Sequence, residues 1–194
     1  REDRIAYVQL VQFGEKTTSE LKDQLNELMK QEPVGLILDL RNNGGGYRDT
    51  AVQVLSEFLP RNEIAMLEEF GDGRIQKFFT EGRGQALEVP MVVLVNEGSA
   101  SASEIVAGAL QDYQRAQLLG VTTYGKGSVQ VWLPLDDGQG AVRVTIARWL
   151  TPESRQINGV GLTPDIVVEI TEEQYAAGED PQLDQAIEIL LQGN

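Results

Sequence analysis

Apolar and polar positions change period along this chain, and the changes mark its elements. Residues 5–13 (IAYVQLVQF) alternate well enough for a strand. Residues 17–31 put Leu21, Leu25, Leu28 and Met29 on one helical stripe, with Thr or Ser placed to cap the helix. Residues 34–40 (VGLILDL) are apolar almost throughout, as expected of a strand covered on both faces. They run into the loop RNNGGG at 41–46, after which residues 48–59 predict a second helix.

Residues 63–70 and 74–79 flank a Gly-Asp-Gly turn and predict a hairpin. MVVLV at 91–95 is another buried strand, and residues 101–116 a helix whose apolar side carries Ile105, Val106, Ala109, Leu110 and Tyr113. Residues 128–135 and 141–150 flank DDGQG at 136–140, which predicts a second hairpin. Residues 161–170 read as extended. Residues 171–181 read as a polar surface connector, and 180–192 as a closing helix capped by Asp180 with Pro181 at its first position. The expected order is β-α-β-α-β-β-β-α-β-β-β-α. Apolar strands alternating with helices predict an α/β fold around a mostly parallel sheet. At 194 residues the chain predicts a single domain with a substantial core. No apolar run reaches the roughly 18 residues of a membrane span.

Charge and composition narrow the chemistry. A net charge of -14 argues against nucleic-acid binding, which needs basic patches, and fits a soluble, self-repelling surface. The sequence holds no cysteine and no histidine. That excludes disulfides, thiolate nucleophiles, Ser-His-Asp triads and His-x-x-Glu-His zinc sites. No metal or cofactor is called for. Glu68, Glu69, Asp136 and Asp137 fall in hairpin segments and read as solvated carboxylates.

NEGSASASE at 96–104 sets three serines on a strand-to-helix turn. Ser101 and Glu104 have the S-x-x-E spacing of a capping box, and from this stretch alone capping outweighs catalysis. Ser99 fits the turn and Ser103 the first helical turn. The functional reading uses the same geometry. A hydroxyl at a helix start lies beside free N–H groups that would stabilise an oxyanion, the Ala102 N–H among them. The glycines of RNNGGG let further backbone N–H groups approach, although a tight connector explains them equally well. The G-x-G-x-x-G spacing of a dinucleotide site is absent.

Without histidine, the remaining bases are Lys, Asp, Glu and the terminal amine. Lys126 lies between two glycines in YGKGSVQVW at 124–132. If residues 126–130 are extended, Lys126, Ser128 and Gln130 share a face, and the Gln130 amide can hold the lysine amine. A free lysine, with a pKa near 10.4, is neutral in only about one molecule in a few thousand at pH 7, so a basic role requires desolvation. Taken alone, Lys126 fits an exposed loop lysine. Phosphate binding by GKGS lacks the full P-loop pattern.

Together these segments resemble the C-terminal-processing, or tail-specific, serine peptidases. LILDLRNNGGG (36–46), VLVNEGSASASEIVAGAL (93–110), GVTTYGKGSVQ (120–130) and TPESRQINGVGLTPDIVV (151–168) are similar to that family's signatures, in order, over nearly the whole chain. The resemblance implies a crotonase-like (ClpP/crotonase-type) α/β core with a β-hairpin extension. It implies Ser101 as nucleophile, Lys126 as general base and Gln130 as its orienting partner. It places the oxyanion donors in Ala102 and the glycine loop, at Gly45, with Gly46 the alternative. It further implies protein substrates with unstructured, apolar C-terminal tails, an extracytoplasmic location, and room for a homo-oligomer. Members usually carry a PDZ domain just before the segment matching residues 4–10, so residues 1–194 are expected to form the peptidase core alone. A catalytically silent peptide-binding core is the competing reading. A crotonase-type acyl-CoA enzyme would share the fold, but it needs carboxylates rather than a Ser–Lys pair. TPESR carries Ser154 where the family's glycine is expected.

Overall fold

The structure, a computed structural model, describes residues 4–192. Its elements follow in the order β1 (Ile5–Gln9), α1 (Thr17–Met29), β2 (Gly35–Asp39), α2 (Arg48–Leu55), β3 (Ile64–Phe70), β4 (Ile75–Phe79), β5 (Met91–Val95), α3 (Ala102–Asp112), β6 (Gln117–Gly120), β7 (Ser128–Pro134), β8 (Ala141–Leu150), β9 (Ile166–Val167), α4 (Glu172–Ala177) and α5 (Pro181–Gln192). Strands β1-β2-β5-β6-β9 form one sheet, every neighbouring pair parallel. The two hairpins join through antiparallel β3–β8 pairing into a second sheet, β4-β3-β8-β7.

The continuous apolar runs follow from burial on both faces. Leu36, Leu38, Val93 and Val95 pack into the core that holds Leu21 and Leu25 of α1, Val54 and Leu55 of α2, and Ile105 to Leu110 of α3. The alternate residues Ile37, Val92, Leu94 and Leu119 pack on the other face with Ala186 and Leu190 of α5. Side chains alternate between faces along a strand, so a two-sided sheet needs apolar residues at successive positions. Among the described residues no helix is long and apolar enough to cross a membrane.

Three local expectations change. The helix predicted to reach residue 116 ends at Asp112; residues 113–116 turn, and an unpredicted four-residue strand, β6, follows inside the sheet. The connector at 171–181 contains α4, with Thr171 and Gln174 satisfying each other's backbone N–H groups at 3.1 and 3.2 Å. The helix α1 starts after Lys16 without a side-chain cap. Thr17 Oγ1 instead accepts from the Gly14 N–H and donates to the Gln12 carbonyl, tying down the loop ahead of the helix. The expected cap of α5 does form, with Asp180 Oδ1 accepting from the Leu183 N–H at 3.0 Å.

At the end of β2, Asp39 is fully buried and needs partners. It accepts from the Tyr7 hydroxyl at 2.7 Å and from Arg41 Nη2 at 2.7 Å. Arg41 Nη1 continues to Asp180 at 2.8 Å and Gln182 at 3.0 Å, which ties the β2 exit to the start of α5. Burial pulls the Arg41 guanidinium down, but its hydrogen bonds to Asp180 and Asp39 outweigh this and leave it raised. Burial, and then the hydrogen bond to Asp39, push the Tyr7 phenol up to about 12.

Two stability predictions follow from these contacts. Arg41→Ala removes the main partner of a buried carboxylate and is expected to lower stability by about 3–5 kcal/mol in urea unfolding; a loss under about 1 kcal/mol would refute the network's role. Ser154 has φ 64 in its exposed turn, a conformation glycine takes without strain. Ser154→Gly is therefore expected to raise stability by about 0.5–1 kcal/mol in the same assay, whereas a decrease would argue against a left-handed turn.

Candidate active site

Parallel strands end on a common edge, so the loops leaving β2 and β5 lie side by side. Hydrogen bonds lace them together. Asn42 N–H donates to Asn96 Oδ1 at 2.8 Å and Asn96 Nδ2 returns to Asn42 Oδ1 at 3.0 Å. The Ala100 N–H reaches the Asn43 carbonyl at 3.0 Å.

This lacing separates the three serines. Ser99 and Ser103 are both fully buried. The Ser99 hydroxyl donates to the Leu40 carbonyl at 2.8 Å and accepts from the Asn96 N–H at 3.0 Å. The Ser103 hydroxyl donates to the Asn43 carbonyl at 2.7 Å. Ser101 is half-buried and has φ 57, ψ -114. An N-cap residue ordinarily sits in the β region, so this is not plain cap geometry. A non-glycine residue in such a conformation costs on the order of 1–3 kcal/mol and persists only where its surroundings impose it.

The expected capping box between Ser101 and Glu104 is present, with Glu104 Oε2 accepting from the Ser101 N–H at 2.8 Å. The Glu104 N–H, which faces the serine side chain in that box, bonds the Ser101 carbonyl at 2.9 Å. Glu104 is fully buried, and the same carboxylate reaches a second segment. It accepts from the Thr123 hydroxyl at 2.6 Å and from the N–H groups of Gly125 at 2.7 Å and Lys126 at 2.9 Å. Trp149 Nε1 donates to the Lys126 carbonyl at 2.8 Å and holds that loop from the second sheet.

A cavity of about 280 Å³ opens where these pieces meet. Ser101, Ala102, Lys126, Gln130 and Gly46 all line it. Met66, Ile105, Val129, Trp132 and Trp149 give it apolar walls, and Arg48, Glu68 and Arg143 add charge. A larger groove of about 990 Å³ follows residues 8–17 and shares Gly46 and Tyr47 with it.

Gly45 stands behind the serine turn. A Cβ there would lie 2.7 Å from the Ala100 carbonyl oxygen, 2.8 Å from Ser101 Cβ and 2.9 Å from the Ala102 nitrogen, and its φ is 99. Its N–H, expected to face an oxyanion, donates to Asn43 Oδ1 at 2.9 Å. Gln130 is exposed and its amide donates to Thr145 Oγ1 at 3.3 Å. A register shift between Val129 and Gln130 interrupts the extended run expected over 126–130, and Lys126 itself precedes β7. Among the described residues no hydrogen bond joins Lys126 to Ser101 or to Gln130.

Glu68, expected to be solvated, is buried on the cavity wall and takes Arg48 Nη1 at 2.9 Å. The hairpin packs that face against α2, and Arg48 lies over the Phe78 ring at 4.4 Å. Burial pulls the Arg48 guanidinium down, and its hydrogen bonds to Glu68 and Asp49 raise it overall. Glu69 is half-buried and Asp136 exposed, while the Asp137 side chain lies outside the described residues. The sequence signalled Glu104 only as a cap partner, and nothing in it marked Thr123, Asn43 or the Arg48–Glu68 pair. Among the described residues no group of three or more His, Cys, Asp or Glu side chains could hold a metal ion.

The contact at Gly45 makes a mutational prediction. Gly45→Ala must push the glycine loop off the serine turn, so it is expected to cost about 1–3 kcal/mol and to slow any reaction of Ser101. Urea unfolding combined with serine-directed labelling checks both, and a fully stable, fully reactive variant would contradict the packing.

Similarity to known proteins places the chain in a family. The peptidase family S41 profile matches residues 4–168. A carboxy-terminal-processing protease of Bartonella bacilliformis is 44% identical over 172 residues, covering 87% of this chain and 39% of that protein. The chloroplastic C-terminal processing peptidase of Tetradesmus obliquus is 40% identical over 163 residues, covering 84% of this chain and 35% of that protein. The solved structure of a photosystem II D1 C-terminal processing protease matches with a TM-score of 0.80 and 39% identity, over 85% of this chain and 42% of that one. The tricorn protease, at 21% identity and TM-score 0.64, shares the fold, with 99% of this chain and 18% of that one covered. This chain therefore spans well under half the length of these curated relatives. With a profile match over most of its length and these relatives, the chain belongs to peptidase family S41.

Proposed function

We propose that this chain is the catalytic core of a C-terminal-processing serine endopeptidase working through Ser101 and Lys126. One observation carries the reading. Of three clustered serines, two are buried and hydrogen-bonded to backbone, while the strained third lines the same cavity as Lys126. In the proposed reaction Ser101 Oγ attacks the scissile carbonyl carbon as the neutral Lys126 amine takes its proton. The tetrahedral oxyanion collapses, the C–N bond breaks, and Lys126 returns the proton to the leaving amine. A water then attacks the acyl carbon, giving its proton to the same lysine; the Oγ–C bond breaks, and Lys126 returns that proton to Ser101 Oγ as the acid leaves.

The oxyanion donors are the Ala102 N–H, which has no partner within its helix at that first position, and the glycine loop. Of the two glycines there, Gly46 lines the cavity while the Gly45 N–H is engaged by Asn43. Gln130 is the orienting partner of Lys126, exchanging a long bond to Thr145 for the lysine amine. An apolar, unstructured C-terminal tail is the proposed substrate. The apolar cavity walls support this choice, and so does the adjoining groove along β1, an edge strand able to accept an added strand. Extracytoplasmic location is proposed from the bacterial and chloroplast relatives.

A small fluorophosphonate, followed by intact mass, tests the reading without needing a natural substrate. The wild-type chain is expected to gain one adduct. Ser101→Ala should gain none, and Lys126→Ala should label at least about 100-fold more slowly. Labelling that persists in Ser101→Ala would assign the chemistry elsewhere. A wild-type chain that never labels would instead indicate a silent peptide-binding core.

A further inference from the structure

Glu104 is the most heavily connected group beside the cavity, and the proposed chemistry does not use it. Its carboxylate is fully buried and meets hydrogen-bond donors on both oxygens. On one side Oε1 takes the Thr123 hydroxyl at 2.6 Å and the Gly125 N–H at 2.7 Å. On the other, Oε2 takes the N–H of Ser101 at 2.8 Å and the N–H of Lys126 at 2.9 Å. Two residues from separate segments thus hang from one oxygen atom, and their nitrogens lie no farther apart than the sum of those two distances. Ser99 and Tyr124 also link the two segments, through a backbone bond of 3.0 Å, but that bond touches neither reacting residue.

We infer that Glu104 is a positioning residue for acyl transfer, its Oε2 fixing the separation of the two backbones from which the Ser101 and Lys126 side chains project. The inference rests on the reading of those two residues as nucleophile and base. A capping box needs only the Ser101 contact. The Lys126 contact on the same oxygen is what a cap alone leaves without a purpose.

Glutamine keeps the shape of the side chain but has a single acceptor oxygen. Turned either way, the amide NH2 of Glu104→Gln meets at least one backbone N–H that the carboxylate accepted. The test is fluorophosphonate labelling of folded E104Q, resolved into probe binding and the rate at saturating probe. A misplacement of about 1 Å costs on the order of 100-fold in rate, so a saturating rate lower by about that factor, with probe binding little changed, is expected. Leu25→Ala, a truncation in the buried face of α1 away from the cavity, should destabilise the fold yet label at the wild-type rate once corrected for its folded fraction. If folded E104Q labels within about twofold of wild type, the positioning role is overturned while the Ser101–Lys126 reading stands. If wild type itself does not label, both fall together. Should E104Q not fold, amide hydrogen exchange in the wild-type chain decides. Joint protection of the Ser101 and Lys126 amides supports the bridge, and exchange of either at the rate of an exposed loop overturns it.

Discussion

The site depends on the parallel pairing of β2 with β5. Their register, Leu38 opposite Val93 and Asp39 opposite Leu94, brings both strands to an end at one level. Whatever follows them is forced into contact, and both sequences answer with small or hydrogen-bonding residues. Glycine at 45 allows the two loops to approach within the length of a side chain. The amides of Asn96 and Asn43 and the hydroxyls of Ser99 and Ser103 satisfy the backbone groups that close approach would otherwise leave buried and unpaired. The result is a rigid platform in which Ser101 can be kept in a conformation it would not choose alone. Strain of this kind survives only where the surrounding network over-determines it.

The second sheet completes the site rather than merely decorating the fold. The β3–β8 pairing brings Trp149 beneath the Lys126 loop, where its indole N–H holds the lysine carbonyl. It also sets Met66 and Glu68 on the cavity wall opposite α3. A peptidase without histidine has to supply a base from another element. The base proposed here lies in the segment joining β6 of the parallel sheet to β7 of the antiparallel one. The boundary between the two sheets is therefore where the lysine segment meets the serine turn.

Most of the fold was legible because its physical causes are local or strongly repeated. Strands covered on both faces are apolar at successive positions, as β2 and β5 are, and helices such as α1 and α5 show their stripes. What escaped has equally plain reasons. The strand β6 is four residues long and offers only Leu118 and Leu119 as apolar residues, too short a run to mark a strand. The helix α4 buries none of its side chains, so it has no apolar stripe to read, only its cap. Glu68 looked solvated because alternation in a hairpin does not say which face another element will cover. The four segments that place the chain in its family were legible by resemblance. The engagement of the Gly45 N–H by Asn43 and of Gln130 by Thr145 was not, since both depend on where neighbouring loops and a strand irregularity come to rest.

The pair Ser101 and Glu104 shows why a capping reading and a catalytic reading of one motif need not compete. A helix start offers N–H groups that an acceptor must satisfy, and Glu104 satisfies the Ser101 N–H as any capping-box partner would. A buried carboxylate, however, has more accepting capacity than one N–H can fill, and leaving it unfilled is costly. That surplus is what draws Thr123, Gly125 and Lys126 to the same side chain. Once the carboxylate is buried at the third position of α3, the cheapest way to satisfy it is to bring another segment's donors to it, and the segment that answers is the one carrying the lysine. Local helix capping and the assembly of a two-segment site thus follow from a single requirement, that no buried oxygen be left without a donor.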